Sequence, residues 1–200
     1  AAVSCLGVNR IITSAAEHSA VIKATKQASD RHHLELVHVQ HHADGQVDMD
    51  HLAELLAGSE KTTLVSLMHA NNEVGVMVDL AWLSALCREH GALLHSDTVQ
   101  TMGHYPLDLN AVDVDFLACS AHKLHGPKGT GFLYANPKLR IDGMIVGGGQ
   151  ERMLRGGTEN VAGIVGLAEA FAAAFEHMAE HEAHIRAMKA RMVQGLRERI

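Results

Sequence analysis

Apolar positions in this chain fall into short unbroken runs that alternate with longer amphipathic stretches. Arg10–Thr13, Leu34–Val39, Thr62–His69, Ala92–His95, Val114–Cys119 and Gly131–Tyr134 have strand length and are bounded by polar residues or glycine. Helical spacing covers Ser19–Ser29, the stretch from Asp48 to Ala57, and Leu80–His90. Asp48 is placed to cap the second of these and Gly91 to close the third in a left-handed turn. Residues 1–8 read as the tail of a helix whose beginning is absent. Val161 to Arg199 is nearly all helix former, as two helices or one bent one. Because the strands are continuously apolar and not alternating, they fit a mostly parallel sheet covered on both faces. The expected fold is a three-layer α/β/α domain.

Composition narrows the classes. A chain of 200 residues with 47% hydrophobic content buries one sizeable core, so residues 1–200 are expected to form one domain. A net charge of -6 offers no electrostatic case for nucleic acid or an anionic membrane. No apolar run approaches the ~20 residues of a membrane span and no signal-peptide pattern opens the chain, so cytoplasm is the expected compartment. Cys5, Cys87 and Cys119 are odd in number and set in apolar contexts, and are expected to be core thiols. The histidines crowded at His32, His33, His38, His41 and His42, and those at His177, His181 and His184, lack the HExxH or paired-cysteine spacing of metal sites, and no metal is expected.

Polar residues stand where the apolar runs end. His18 follows the first, Asn72 the third, Asp97 and Gln100 the fourth, and Ser120, His122 and Lys123 the fifth. Parallel strands bring such termini to one edge, where open α/β sheets bind ligands. Lys123 beside a hydroxyl and an imidazole is a candidate Schiff-base former, on the expectation that partial burial and a cationic neighbour free its amine. With a carboxylate among its partners, the set suits pyridoxal phosphate (PLP), which needs a lysine for its aldehyde and a carboxylate for its ring nitrogen. Each member also has a simpler reading. Asp97 and His18 are placed to cap the helices that follow, and Asn71-Asn72 is ordinary turn chemistry. Gly126, Gly129 and Gly131 match neither the dinucleotide nor the Walker pattern.

ITSAAEHSAV (12–21), HANNEVGV (69–76), HSDTVQTMGHYPLDL (95–109), SAHKLHGPKGTGFLY (120–134) and GGGQERMLRGGTENV (147–161) follow one another in an order and spacing that resemble the cysteine desulfurases of NifS/IscS type, among class V, fold-type I PLP enzymes. The resemblance implies a PLP-binding large domain of the fold-type I transferases. Lys123 would condense with the cofactor aldehyde, Asp97 hold the pyridinium nitrogen and Gln100 the ring's phenolic oxygen. His18 would stack on the ring and assist proton transfer. Ser120 and His122 would bind the phosphate, Thr158 would reach the phosphate of a neighbouring subunit in a homodimer, and Asn72 would lie near the ring oxygen and substrate carboxylate. Ser-Ala-His-Lys stands here where the family has Ser-Gly-His-Lys.

The resemblance further implies L-cysteine as substrate, L-alanine as product and a sulfur-acceptor scaffold protein as partner of the complete enzyme, serving iron–sulfur cluster assembly. The family's N-terminal phosphate loop and its C-terminal small domain, with the persulfide cysteine and a substrate-clamping arginine, have no counterpart in these residues. The chain alone is therefore expected to be inactive, with apolar faces prone to self-association. Another class V lyase or aminotransferase, or a non-catalytic truncated module, are the competing expectations.

Overall fold

The computed structural model describes residues 2–200. Its elements in chain order are α1 (Ala2–Cys5), β1 (Arg10–Ser14), α2 (Ser19–His32), β2 (Glu35–Val39), α3 (Met49–Ala57), β3 (Thr63–Ser66), α4 (Leu80–Glu89), β4 (Leu93–Asp97), β5 (Phe116–Ser120), β6 (Gly131–Ala135), α5 (Val161–Glu176) and α6 (Met178–Arg197). Of the expected helix tail over residues 1–8, residue 1 lies outside the described residues and only α1 is helical, the chain turning at Gly7 with a φ of 66°.

The six strands form one sheet in the order β2-β1-β3-β4-β5-β6, parallel throughout except for β6, which runs antiparallel to β5. The reversal follows from the length of the connection: residues 121–130 are too few for the crossover of a dozen or more residues that a parallel neighbour requires. From β1 the chain moves outward through α2 to β2, then returns through α3 past β1 to β3. Right-handed crossovers in opposite directions place their helices on opposite faces, which builds the three layers. The same reversal of direction opens a crevice between the exits of β1 and β3.

Central position explains composition. Every residue of β1 is buried, whereas the edge strand β2 has a single buried residue, Val39. Ile12, Val65, Leu94 and Leu117 from four adjacent strands join Leu52 and Leu56 of α3, Leu83 and Cys87 of α4, and Leu167 of α5 in one core. Burying one such aliphatic side chain stabilises the fold by about 1.5–3 kcal/mol. Asp115, almost fully buried, fixes the start of β5: it accepts from Leu94 N–H at 2.8 Å and from Arg88 at 3.0 Å.

Helix ends follow their caps. Asp48 accepts from His51 N–H, Asp79 from Ala81 and Trp82 N–H, and Asn160 from Gly163 N–H. Gly91, with a φ of 62°, stands just past α4 as expected. The C-terminal helical stretch is two helices meeting at 69° around His177. No single helix among the described residues is long and apolar enough to cross a membrane.

Candidate active site at the strand exits

The four strands that end in the predicted polar residues, β1, β3, β4 and β5, are consecutive in the sheet and parallel. Their carboxyl ends therefore line one edge, and β1 and β5 stand three strand spacings apart, about 14 Å. Asp97 at the end of β4 is in register with Ala118, two residues short of Ser120 on β5. That offset places Asp97 and Ser120 about 8 Å apart along the rim.

The lysine sits on a single 3-10 turn, Ala121–Leu124, that leaves β5 directly. Residues three apart eclipse in such a turn, so Ala121 and Leu124 both point into the core and His122 and Lys123 both point out. Ala121 N–H donates to Thr130 O, Gly126 N–H to Ala121 O, and His104 Nε2 to the Lys123 carbonyl at 3.0 Å. The extra methyl of Ala121 is accommodated on the core side, where a side chain on Gly126 would meet it at 3.0 Å. Gly131 is required in the same place, since a Cβ there would lie only 2.3 Å from the Cys119 carbonyl oxygen. The partial burial expected for Lys123 is not found; its side chain is exposed because Ala121 and Leu124 occupy the turn's inward positions.

Ser120 Oγ and His122 Nδ1 are 2.8 Å apart. In either neutral tautomer one donor of this pair, the serine O–H or the imidazole Nε2–H, stays free for an anion. Asp97 is half-buried; its Oδ1 accepts from Val99 N–H at 2.9 Å, and Oδ2 takes no hydrogen bond among the described residues. His18 does cap α2, accepting from Ala20 N–H at 3.2 Å through Nδ1, so its proton resides on the exposed Nε2. Capping and function are compatible here, because each uses a different atom.

The remaining predicted residues are less engaged. Gln100 is half-buried in the turn after β4 and makes no side-chain hydrogen bond among the described residues. Asn72 is exposed and donates to Glu73 Oε1 at 2.7 Å. Thr158 is exposed on the loop before α5, and no hydrogen bond ties it to the sheet edge among the described residues.

Several contributors escaped the sequence reading. Glu17, 6% exposed, crosses the crevice between the β1 and β3 exits: its Oε1 accepts from Met68 N–H at 2.8 Å and from the Ser14 hydroxyl at 3.5 Å. Its Oε2 is buried without a partner. Burial, reinforced by the charge of Asp97, pushes the Glu17 carboxyl up to about 7, against the pull of the Met68 N–H and Ser14 bonds. Asn71 makes a second tie across the same crevice, donating to Ala16 O at 2.7 Å while accepting from Glu73 and Val74 N–H. His95 pairs with its cross-strand neighbour Ser66 at 2.8 Å, and His69 with Thr101 at 2.9 Å. Burial lowers both imidazoles, opposed by Asp97 and Asp79 respectively, so both stay neutral near pH 7. The usable signal was a carboxylate directly preceding a candidate ring-facing histidine at a strand exit.

The cysteines divide differently from the expectation. Burial pushes the Cys87 thiol up to about 12 and the Cys119 thiol up to about 11, as inert core groups. Cys5 is not a core thiol; it is half-buried and engages Asp142, accepting from its N–H at 3.3 Å. Among the described residues no three His, Cys, Asp or Glu side chains gather as metal ligands.

A parallel sheet with lysine, carboxylate, imidazole and anion donors at its carboxyl edge defines a class of proteins. The chain belongs to the aminotransferase class-V family, whose model matches residues 6–199. Within that family it is 40% identical, over 94% of its length, to a protein of Histophilus somni (strain 2336) named cysteine desulfurase IscS, and covers 46% of that protein. A cysteine desulfurase of Gluconacetobacter diazotrophicus is 41% identical over 97% of this chain and 48% of its own. A solved NifS-like protein from Rickettsia africae superposes with a TM-score of 0.88 at 34% identity, over 95% of this chain and 52% of that one. The chain thus spans about half the length of the relatives it matches.

Proposed function

We propose that residues 1–200 are the PLP-binding large domain of a cysteine desulfurase, which converts L-cysteine to L-alanine and passes the sulfur to an enzyme cysteine. The observation that carries the reading is the Ser120–Lys123 turn beside an aspartate with one unengaged oxygen, in a chain so similar to named desulfurases. The donor set fits PLP: a free lysine amine for the aldehyde, a carboxylate oxygen for the ring nitrogen, and a spare donor from Ser120 or His122 for the phosphate.

When bound, PLP supplies an electron sink for the carbon that bears the substrate amine. Asp97 Oδ2 accepts from the ring N–H and holds positive charge there. Lys123, exposed and with its carbonyl held by His104, would supply the amine for the aldehyde carbon. His18, its Nδ1 fixed by α2, presents Nε2 to move a proton. Gln100 would donate to the phenolic oxygen, and Asn72 would serve the ring oxygen and the substrate carboxylate in place of its bond to Glu73. Thr158 serves the phosphate of the second subunit in a homodimer. The cysteine that receives sulfur is none of Cys5, Cys87 or Cys119, since two are buried neutral thiols and Cys5 precedes the amino end of β1, opposite the strand exits. A sulfur-acceptor scaffold protein in iron–sulfur assembly, and a cytoplasmic location, complete the reading.

The test is direct. The 200-residue chain is incubated with PLP, reduced with borohydride, digested and mapped. A pyridoxyl group concentrated on Lys123 supports the reading; scattered label on surface lysines such as Lys26 and Lys138 overturns it.

A further inference from the structure

Among the described residues two side chains tie the β1 and β3 exits together, and of these Glu17 is ionisable. Asn71 bonds to Ala16 O, and Glu17 bonds to Met68 N–H, from opposite sides of the crevice. Glu17 is more than nine-tenths buried, and its second oxygen meets neither solvent nor a donor. It directly precedes His18 and lies within electrostatic reach of Asp97.

We propose that Glu17 is a positioning residue for the ring-holding pair His18 and Asp97: its carboxyl ties the two strand exits together and carries a proton while the site is closed. The proposal rests on the PLP reading and adds to it a group that sets its pH dependence. An ionised Glu17 would be a second negative charge beside Asp97 with one oxygen desolvated and unbonded, and such a group gains by opening toward water. Opening displaces residues 15–18, and His18 with them. The protonated form costs far less to keep there, since its unbonded oxygen carries an O–H and no charge, and its carbonyl oxygen still accepts from Met68 N–H. The charged group facing Glu17 is Asp97 on β4. The imidazoles on the neighbouring elements, His69 beyond Met68 and His95 on β4, are kept neutral by burial, and His18 belongs to the segment that moves.

The experiment compares PLP affinity of wild type, Glu17→Gln and Glu17→Ala by cofactor absorbance between about pH 6 and about pH 8. Titrations of PLP, Lys123 and His18 are common to wild type and E17Q, so the difference between their slopes isolates Glu17. Wild type should lose about tenfold more affinity than E17Q over this range, because only the protonated fraction binds. E17A, without the tie, should bind weakly at both ends. Infrared difference spectra of the wild type, which need no variant to fold, should show a protonated carboxyl band that fades as pH rises. Parallel slopes for wild type and E17Q, or no such band at the acidic end, overturn the role of Glu17 while leaving the PLP reading intact. Wild type that takes up no PLP at any pH overturns both.

Discussion

The carboxyl edge of the sheet and the helix α6 are opposite ways of presenting side chains. At the edge, polar groups from different strands bind one another: Glu17 to Met68, Asn71 to Ala16, Ser66 to His95, His69 to Thr101. On α6 the polar contacts are local, one turn apart, as in Arg186 with Glu182 and Gln194 with Glu198 just past the helix end, while Ile185, Met188, Met192 and Leu196 are exposed. Only Met178 of this helix is buried. The edge is organised before any ligand arrives, so its chemistry is encoded in long-range pairs. The helix surface is organised by nothing among the described residues, and its properties depend on what it meets.

The largest expected effect falls at the edge. Lys123→Ala should cut pyridoxyl labelling of the Ser120–Tyr134 peptide to the background of an exposed surface lysine, the level expected of Lys128 in the loop between β5 and β6. Label persisting in that peptide above this background would assign the anchoring amine elsewhere and remove the central residue of the site.

Stability against pH comes next, and two opposed limbs are expected. Glu17 has a folded pKa raised from 4.5 to about 7, so the folded state keeps a proton that the unfolded chain releases. Its contribution is full below pH 4.5 and is lost as pH rises through about 7, on the order of 3 kcal/mol in all. His69 and His95 act in the other sense: their folded pKa values are depressed, so the stability of their neutral burial is present above 6.5 and is lost as pH falls. Urea denaturation across pH should therefore show a maximum for wild type. E17Q should lose the alkaline limb and keep the acidic one. If both proteins keep the alkaline limb, Glu17 is not its source.

Asp97→Ala is a smaller change with a sharper meaning. A charge-assisted hydrogen bond contributes about 1.5–3 kcal/mol, so PLP affinity should fall about ten- to a hundredfold. Fold stability should change little, because the bond lost within the protein is one local contact to Val99 N–H. Equal affinity for the variant would mean that the ring nitrogen is not held by this carboxylate.

What the sequence made legible follows the same division between local and long-range order. Six apolar runs bounded by polar residues marked six strands, and Asp48 and Gly91 marked helix ends, because each signal is carried by neighbours along the chain. The run expected over Thr62–His69 pairs as a strand only through Ser66, yet Leu67 and His69 N–H still reach the His95 and Asp97 carbonyls, so burial outlasts regular pairing. Likewise β5 begins at Phe116, two residues later than its apolar pattern. The strands that precede the side chains grouped at one edge by reasoning from parallel strands are adjacent and parallel, although only Asp97 and Ser120 stand on the strands themselves. Glu17 was passed over, and Asn71 was read only as the turn residue it also is, because their partners across the crevice, Met68 and Ala16, lie more than fifty positions away. The burial of Ala121 in place of Lys123 depends on the eclipsed geometry of a single 3-10 turn.

The smallest energetic effect belongs to α6, and it separates the two regions most cleanly. Ile185, Met188, Met192 and Leu196 recur at intervals of three and four, so they form one apolar stripe along the helix. Exposed stripes of this kind drive association. Replacing Ile185, Met188 and Met192 with Gln should change the unfolding free energy by only about 0.5 kcal/mol or less per site, because these side chains are already in water. The same replacements should shift the chain toward smaller species in light scattering while leaving PLP labelling on Lys123, since Lys123, Asp97 and His18 all come from one chain and a partner's Thr158 would add only a phosphate contact. A fall in labelling in step with dissociation would show that the edge depends on an assembled partner, and that its order is not the property of one chain.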